Sequence, residues 1–110
     1  MTDHLKIRAL NDEFRKTLQG GQVVFMGTLA GREAKDLILQ HRVLAAVRVA
    51  PIQEGNDPYG EHDFGSVQVD GDTFFWKIDY YDLQLEELSE DPTDPSVTCR
   101  VMAIFYSYDY

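Results

Sequence analysis

Three consecutive residues, Glu61, His62 and Asp63, carry side chains that could bind a metal ion or transfer a proton, and Asp57 lies four positions before the first of them. Carboxylates and imidazoles are common metal ligands and common general acids and bases. In an extended segment, however, Glu61 and Asp63 point to one side of the backbone and His62 points to the other. A metal site would therefore need a further ligand from elsewhere in the chain, which has three histidines in all.

The same stretch also has a structural interpretation. The residues Asn56-Asp57-Pro58 are typical of a turn whose side chains hydrogen-bond to the backbone, and His62 or Asp63 would tie that turn to the next strand. We favour this interpretation, so the sequence predicts no metal, no cofactor and no catalytic residue. A small metal-dependent or hydrolytic enzyme, with its site around Glu61-His62-Asp63 and with Asp79 nearby, is the alternative.

Two further residues with reactive side chains have simpler interpretations. Cys99 is the only cysteine, which excludes an internal disulfide and any multi-cysteine zinc site. It lies in an apolar run with no charged side chain beside it on the same face, so we interpret it as a small packed hydrophobe. His41 lies in the apolar stripe of a predicted helix, where Leu37 and Ala45 occupy the positions that a paired ligand would need, so we interpret it as a hydrogen-bonded residue in the core or at its edge.

Acidic residues are concentrated in one segment. Residues 1–53 hold eight Lys and Arg against five Asp and Glu, whereas residues 54–94 hold thirteen Asp and Glu against Lys77 alone. The formal net charge of the chain is −9, which favours solubility. Such a segment would also attract a cationic partner surface. Direct binding to nucleic acid is disfavoured, because proteins that bind its backbone carry basic stripes.

A β-hairpin is the clearest element in the sequence. Asp70-Gly71 lies between two alternating runs, and both residue types tolerate the positive φ that a two-residue hairpin loop requires. This loop pairs Val69 with Asp72 and Val67 with Phe74. One face of the hairpin is then the predicted core face, and its members are Phe74, Trp76, Ile78, Tyr80, Val67 and Val69.

The remaining elements follow from apolar spacing. A first helix is capped by Thr2 or Asp3, ends at Gly20-Gly21, and places Asn11 and Arg15 on its surface. Residues 22–29 predict a strand that Gly27 interrupts, and residues 32–48 predict a second helix. The predicted apolar face of that second helix is Ala34, Leu37, Ile38, His41, Leu44 and Ala45. Residues 82–95 predict an exposed acidic loop, and residues 97–106 predict a strand that is apolar on both faces and therefore central.

These elements make a single α+β domain over residues 1–110, in the order α-β-α-β-β-β. We expect an antiparallel sheet of about four strands with two helices packed on one face. No apolar run is long enough to span a membrane, and no secretory signal is visible at the N-terminus. The sequence therefore predicts a cytoplasmic protein, without a membrane partner, that is a monomer or a homodimer.

Three motifs carry a resemblance to a known family. With NDPYGEHDFG, VDGDTFFWKIDYYD and IRALNDEFR, the chain resembles small bacterial proteins of uncharacterised function that are often encoded on plasmids and other mobile elements. The resemblance covers nearly the whole chain. The sequence departs from the family pattern in residues 28–55 and at the final FYSYDY. It implies no catalytic residues. It implies an accessory protein of mobile DNA, and such genes frequently encode anti-restriction and anti-CRISPR proteins that mimic DNA with carboxylates.

The segregated charge and the resemblance together give the main functional hypothesis. The protein would be a non-enzymatic inhibitor of a host defence complex, an anti-CRISPR or anti-restriction protein that occupies a nucleic-acid-binding surface. Its partner would be the basic surface of a host nucleic-acid-handling protein complex. The predicted partner-binding residues are Glu54, Asp57, Glu61, Glu86, Glu87, Glu90, Asp91 and Asp94.

Overall fold

A computed structural model describes residues 3–53, 55 and 57–110. Its main elements are helix α1 (His4–Thr17), strand β1 (Gly21–Phe25), helix α2 (Ala34–Val49), and strands β2 (Phe64–Val69), β3 (Asp72–Tyr81) and β4 (Cys99–Tyr106). Short 3₁₀ turns span Gly27–Ala30 and Ser107–Asp109. The predicted α+β class and the order α-β-α-β-β-β are confirmed. No helix in the described residues is long and apolar enough to cross a membrane.

The sheet has the order β1-β4-β3-β2, and it is mixed rather than antiparallel as predicted. Strands β2, β3 and β4 pair antiparallel, whereas β1 pairs parallel with β4. Strand β1 is separated from β4 by α2 and the hairpin, so no local turn sets its direction. Gly21 permits the close approach, because a Cβ there would collide with the carbonyl oxygen of Arg100. The predicted central position of β4 is confirmed.

The hairpin forms with the predicted register, since Val69 pairs with Asp72 and Val67 with Phe74. Its loop residues Asp70 and Gly71 have φ of +55° and +85°, as a type I′ turn requires.

The predicted core face of the hairpin is confirmed around Trp76, which is fully buried. Gly65 lies opposite Trp76 on β2, and a Cβ there would stand 2.6 Å from the indole. The Arg15 guanidinium lies 4.9 Å from the indole ring centroid. Phe14 of α1, with Val43 and Val47 of α2, completes this core.

Helix α1 forms as predicted, but two of its polar residues are inside. Asp3 caps it by accepting hydrogen bonds from the backbone N–H groups of Leu5 and Lys6. The helix ends at Thr17, and Leu18, not a glycine, takes the left-handed conformation with φ +63°. Asn11 and Arg15, predicted on the surface, are buried beside Ile7 and Phe14.

Helix α2 forms, but the predicted apolar face is wrong. Val43 and Val47 are fully buried, whereas Leu37 and Ile38 are 53% and 62% exposed. His41, which we expected to pack at the edge of the core, is also exposed. The helix carries apolar residues on both sides, so apolar spacing alone does not decide which side faces inward.

Polar contacts along α2 accompany that orientation. Gln40 donates hydrogen bonds to the carbonyl oxygens of Leu29 and Gly31, both at 2.8 Å. Arg42 pairs with Asp70 at the hairpin loop. Both contacts form in the orientation that places Val43 and Val47 toward the sheet.

Candidate functional site

Residues 57–63 form a turn that packs against α1. The backbone N–H of Gly60 donates to the carbonyl oxygen of Asp57 at 3.1 Å, and the N–H of His62 donates to Asp57 Oδ1 at 3.0 Å. Gly60 and His62 have φ of +66° and +55°, so the segment is not extended. The predicted turn with side-chain-to-backbone hydrogen bonds is confirmed for Asp57, while Asn56 lies outside the described residues.

Within this turn, neighbouring acid and imidazole groups face different partners. His62 Nδ1 lies 2.8 Å from Asp12 Oδ1, and its Nε2 lies 3.6 Å from Asp57 Oδ2. Glu61 turns the other way, with Oε2 at 2.6 Å from His4 Nδ1. The two histidines thus join the turn to α1 at two separate points.

Asn11 connects this turn to the sheet and is completely buried. Its Nδ2 donates to the Glu61 carbonyl oxygen at 3.0 Å and to the Tyr80 hydroxyl at 2.8 Å. Its Oδ1 accepts from Arg100 Nε at 2.7 Å, and Arg100 in turn donates to the Pro92 carbonyl oxygen. One amide side chain therefore links α1, the turn, β3 and β4.

Burial controls the electrostatics of this cluster. It raises the pKa of Tyr80, and the neighbouring carboxylates of Glu61 and Asp63 also favour the neutral phenol. Burial likewise raises the pKa of Asp63, with a further contribution from Glu61. Burial lowers the pKa of Arg100, which Tyr80 and Glu61 partly oppose. The phenol therefore stays protonated and donates to Glu61 Oε1 at 3.1 Å.

A cavity lies beside His62. Its volume is about 320 Å³, and its lining consists of Arg8, Ile52, Asp57, Gly60 and His62, which include no Ser, Thr or Cys nucleophile. Among the described residues, no group of three His, Cys, Asp or Glu side chains is placed to hold a metal ion. What the cluster does physically is to lock the turn, α1 and the sheet together.

A second region of interest is the connection between β3 and β4, residues 82–98, which we name the acidic loop. Its backbone is tied to the sheet where Ser89 N–H donates to the Tyr80 carbonyl oxygen at 3.0 Å. The Ser89 and Thr98 hydroxyl oxygens lie 2.6 Å apart, and Thr98 Oγ1 donates to the Asp91 carbonyl oxygen at 2.8 Å. The acidic loop therefore has a defined shape although it contains no helix or long strand.

Two of its carboxylates shape the loop itself. Asp91 Oδ1 accepts from the backbone N–H and the hydroxyl of Thr93, and Asp94 Oδ1 accepts from the same groups of Ser96. The hydrogen bonds from the hydroxyls, followed by those from the backbone, hold the pKa of both carboxyl groups below the usual range. Both groups are thus anionic at neutral pH.

Several other side chains of the acidic loop are exposed to solvent. Glu86, Glu87 and Glu90 are exposed. Leu83 and Leu88, at 57% and 74% exposure, lie among them. A shallow cavity of about 280 Å³ is lined by Asp82, Leu83, Gln84, Glu87, Leu88, Glu90 and Val97. Exposed leucines beside carboxylates form a mixed apolar and anionic surface.

The eight predicted partner-binding residues fall into distinct environments. Glu86, Glu87, Glu90 and Asp91 are exposed, and Asp94 is partly exposed. The side chains of Asp57 and Glu61 are only 7% and 12% exposed and are engaged with His62 and His4. Glu54 lies outside the described residues. Five of the eight thus lie on the acidic loop.

Sequence reasoning missed Asn11 as the centre of the buried network. A signal was present, because Asn11 occupies a position in the stripe of Ile7, Phe14 and Leu18, where the spacing requires a side chain that faces the core. The exposed leucines of the acidic loop were also missed as part of a surface.

Comparison with known proteins gives a family but no activity. The family described as "Protein of unknown function (DUF3768)" matches residues 27–109. No curated protein and no solved structure matches the chain. The matched residues include the 57–63 turn and the acidic loop, whereas α1 precedes them. The chain belongs to this family of proteins of unknown function.

Proposed function

We propose that the protein acts by binding another protein, and that the acidic loop docks on the basic nucleic-acid-binding surface of a host complex. The observation that carries this proposal is the ordered state of the acidic loop. Loops longer than about 12–15 residues without regular structure are uncommon, and they are usually functional or disordered. This loop is longer than that and is hydrogen-bonded throughout, from Asp82 to Thr98.

An ordered loop is suited to binding because its shape exists before the partner arrives. Holding a flexible loop in one conformation on binding costs free energy, which a pre-formed loop avoids. The internal hydrogen bonds of Asp91 and Asp94 and the contact of Arg100 with Pro92 supply that order. Glu86, Glu87 and Glu90 are then free to meet a partner.

The chemistry of the loop favours a cationic protein surface. Residues 82–98 contain six acidic residues and no Lys or Arg. Such a field accelerates association with a basic surface and weakens as salt is added. The exposed Leu83 and Leu88 add an apolar contact surface. A folded protein partner can bury these leucines, whereas small cations in solution cannot.

The resemblance to small bacterial proteins of plasmids and mobile elements supports a more specific form of the proposal. An accessory protein of mobile DNA gains from blocking host restriction or CRISPR complexes, whose nucleic-acid-binding grooves are basic. Carboxylates at the positions of phosphates would make the protein a DNA mimic of the anti-restriction or anti-CRISPR kind. We assign the contact to Glu86, Glu87 and Glu90, with Leu83 and Leu88 beside them.

Affinity capture with a matched pair of variants tests this proposal. The tagged chain is used as bait in lysates of bacteria that carry an active restriction or CRISPR system, at low and at high salt. We expect the parent to retain a nucleic-acid-binding subunit at low salt and to lose it at high salt. Glu87→Gln/Glu90→Gln should abolish capture, whereas Glu13→Gln/Asp72→Asn removes the same charge elsewhere and should not.

Two outcomes would contradict the proposal. One is that the parent retains no nucleic-acid-handling protein at low salt. The other is that Glu87→Gln/Glu90→Gln retains as much as the parent, which would place the contact outside the acidic loop.

A further inference from the structure

The face of the sheet opposite the helices is largely apolar, and we name it the outer sheet face. A groove of about 700 Å³ runs along it, lined by Val24, Met26, Gly27, Lys77, Asp79, Tyr81, Val101, Ala103, Phe105, Asp109 and Tyr110. Strand β4 is apolar on both sides, with Met102 and Ile104 toward the helices and Val101 and Ala103 toward the groove. A strand of this composition is typical of a sheet that is covered on both faces.

One end of the outer sheet face is covered from within the chain, whereas the part along β1 is exposed. Tyr110 makes ring contacts with Phe64, Phe75 and Phe105 at centroid distances of 6.0, 5.6 and 5.9 Å. Farther along the groove, Val24 and Met26 are 39% and 50% exposed. Exposed apolar side chains beside a groove favour an interaction site.

Two opposite charges lie in the middle of this apolar surface. Lys77 Nζ is 3.4 Å from Asp79 Oδ2, and the two side chains are 46% and 36% exposed. On the neighbouring strand, Lys77 is level with Ala103, and Asp79 is level with Val101. When two identical faces pack with one rotated by 180°, the cation of each face can lie opposite the anion of the other.

We propose that the outer sheet face binds a second copy of this chain. A twofold axis between the two sheets, perpendicular to β3 at the level of Ile78, brings Lys77 opposite Asp79 of the partner subunit. The same axis brings Val101 opposite Ala103 of the partner subunit, because Ile78 and Met102 are level in the sheet. The small apolar pair lets the sheets approach to about 10 Å, the usual spacing of packed sheets.

The flat area of the face is close to what a dimer requires. The four strands contain 29 residues, so with strands about 4.8 Å apart and about 3.3 Å per residue they cover roughly 460 Å² in projection, or about 900 Å² for two copies. A specific interface requires about 1,000 Å² or more of buried accessible surface, and projecting side chains make the accessible area larger than the flat one. This dimer does not depend on the acidic loop, so it stands apart from the function proposed above.

A charge-swap series measured by sedimentation equilibrium tests the dimer with the full chain. The parent should be a dimer. Lys77→Asp places two carboxylates opposite each other and Asp79→Lys places two ammonium groups opposite each other, so each should weaken the dimer by about tenfold or more. The double variant Lys77→Asp/Asp79→Lys restores opposite charges and should dimerise like the parent. An equimolar mixture of the two single variants should form a heterodimer, since each then supplies the charge that the other needs.

The control is Lys16→Asp, which makes an equal charge change at an exposed position of α1 and should leave the dimer intact. Circular dichroism establishes that each variant is folded, and the mixture of the two single variants tests the pairing without requiring the double variant. A monomeric parent at about 100 μM would overturn the proposal, because even a weak specific dimer forms there. Single variants that dimerise like the parent, or that fail to associate when mixed, would overturn it as well.

Discussion

Trp76 is the side chain around which the core is packed, and its truncation should be severe. It is fully buried, and Trp76→Ala should lower the free energy of unfolding by about 3–5 kcal/mol, as large aromatic truncations in cores do. Among the described residues, the indole Nε1 has no hydrogen-bond partner. Trp76→Phe should therefore cost less than Trp76→Ala, since it loses volume but no hydrogen bond. Urea denaturation measures both, and a Trp76→Ala variant that unfolds like the parent would contradict the assigned core.

Tyr80 should make the fold sensitive to alkali. Burial raises the pKa of Tyr80 above the usual value of 10.0, so the neutral phenol stabilises the folded state. That contribution is fully present below pH 10 and is lost as the pH rises toward the folded-state pKa. The free energy of unfolding of the parent should therefore fall above about pH 10. The free energy of unfolding of Tyr80→Phe should be lower at pH 7 but should fall less steeply above pH 10.

The exposed Tyr59 provides the control for this experiment, because Tyr59→Phe should follow the parent curve. Identical slopes for Tyr80→Phe and the parent above pH 10 would show that the phenol of Tyr80 is not the group responsible.

Asn11 illustrates what the sequence could not provide at the scale of single residues. Its position in the apolar stripe of α1 was visible, but a polar side chain is usually placed on the surface. Its burial is possible because Arg100, Tyr80 and the Glu61 carbonyl oxygen satisfy its amide, and these groups lie far away in the sequence. Local spacing carries no information about such partners.

At the scale of elements, the acidic loop should separate into residues that shape it and residues that it displays. Asp91→Ala removes the acceptor for the backbone N–H and hydroxyl of Thr93. Amide hydrogen exchange at Thr93 should then become faster, while exchange in β3 and β4 stays slow. Glu90→Gln should leave Thr93 unchanged, because Glu90 is exposed and its side chain is not part of that turn. Equal effects of the two substitutions would contradict this division.

The elements themselves were predictable to different degrees. The hairpin followed from Asp70-Gly71 and the alternation around it, because both signals are local. The face of α2 did not, since Leu37 and Ile38 are as apolar as Val43 and Val47, and the core and the polar partners that the helix meets lie outside it. The parallel pairing of β1 also depends on a non-local contact with β4, for which the sequence carries no turn signal.

In the whole molecule, the residues that form the core and the residues that carry much of the negative charge lie in separate parts of the chain. The helices and the core-facing side of the sheet form a stable support, while residues 82–98 carry six acidic residues outside it. The network of Asn11 and Arg100 links the two, because Arg100 donates to Asn11 in the core and to Pro92 in the acidic loop. A rigid scaffold that presents an anionic loop is the arrangement that the proposed inhibitor needs.

The most direct test of that claim is the transformation efficiency of a target plasmid in bacterial strains that each carry one active restriction or CRISPR system. Expression of the parent should raise the efficiency in at least one strain, because the inhibited complex no longer destroys the plasmid. Glu87→Gln/Glu90→Gln should lose this protection, and Glu13→Gln/Asp72→Asn should keep it. The account would be contradicted if the parent protein raised the efficiency in none of the strains. It would also be contradicted if Glu87→Gln/Glu90→Gln protected the plasmid as well as the parent does.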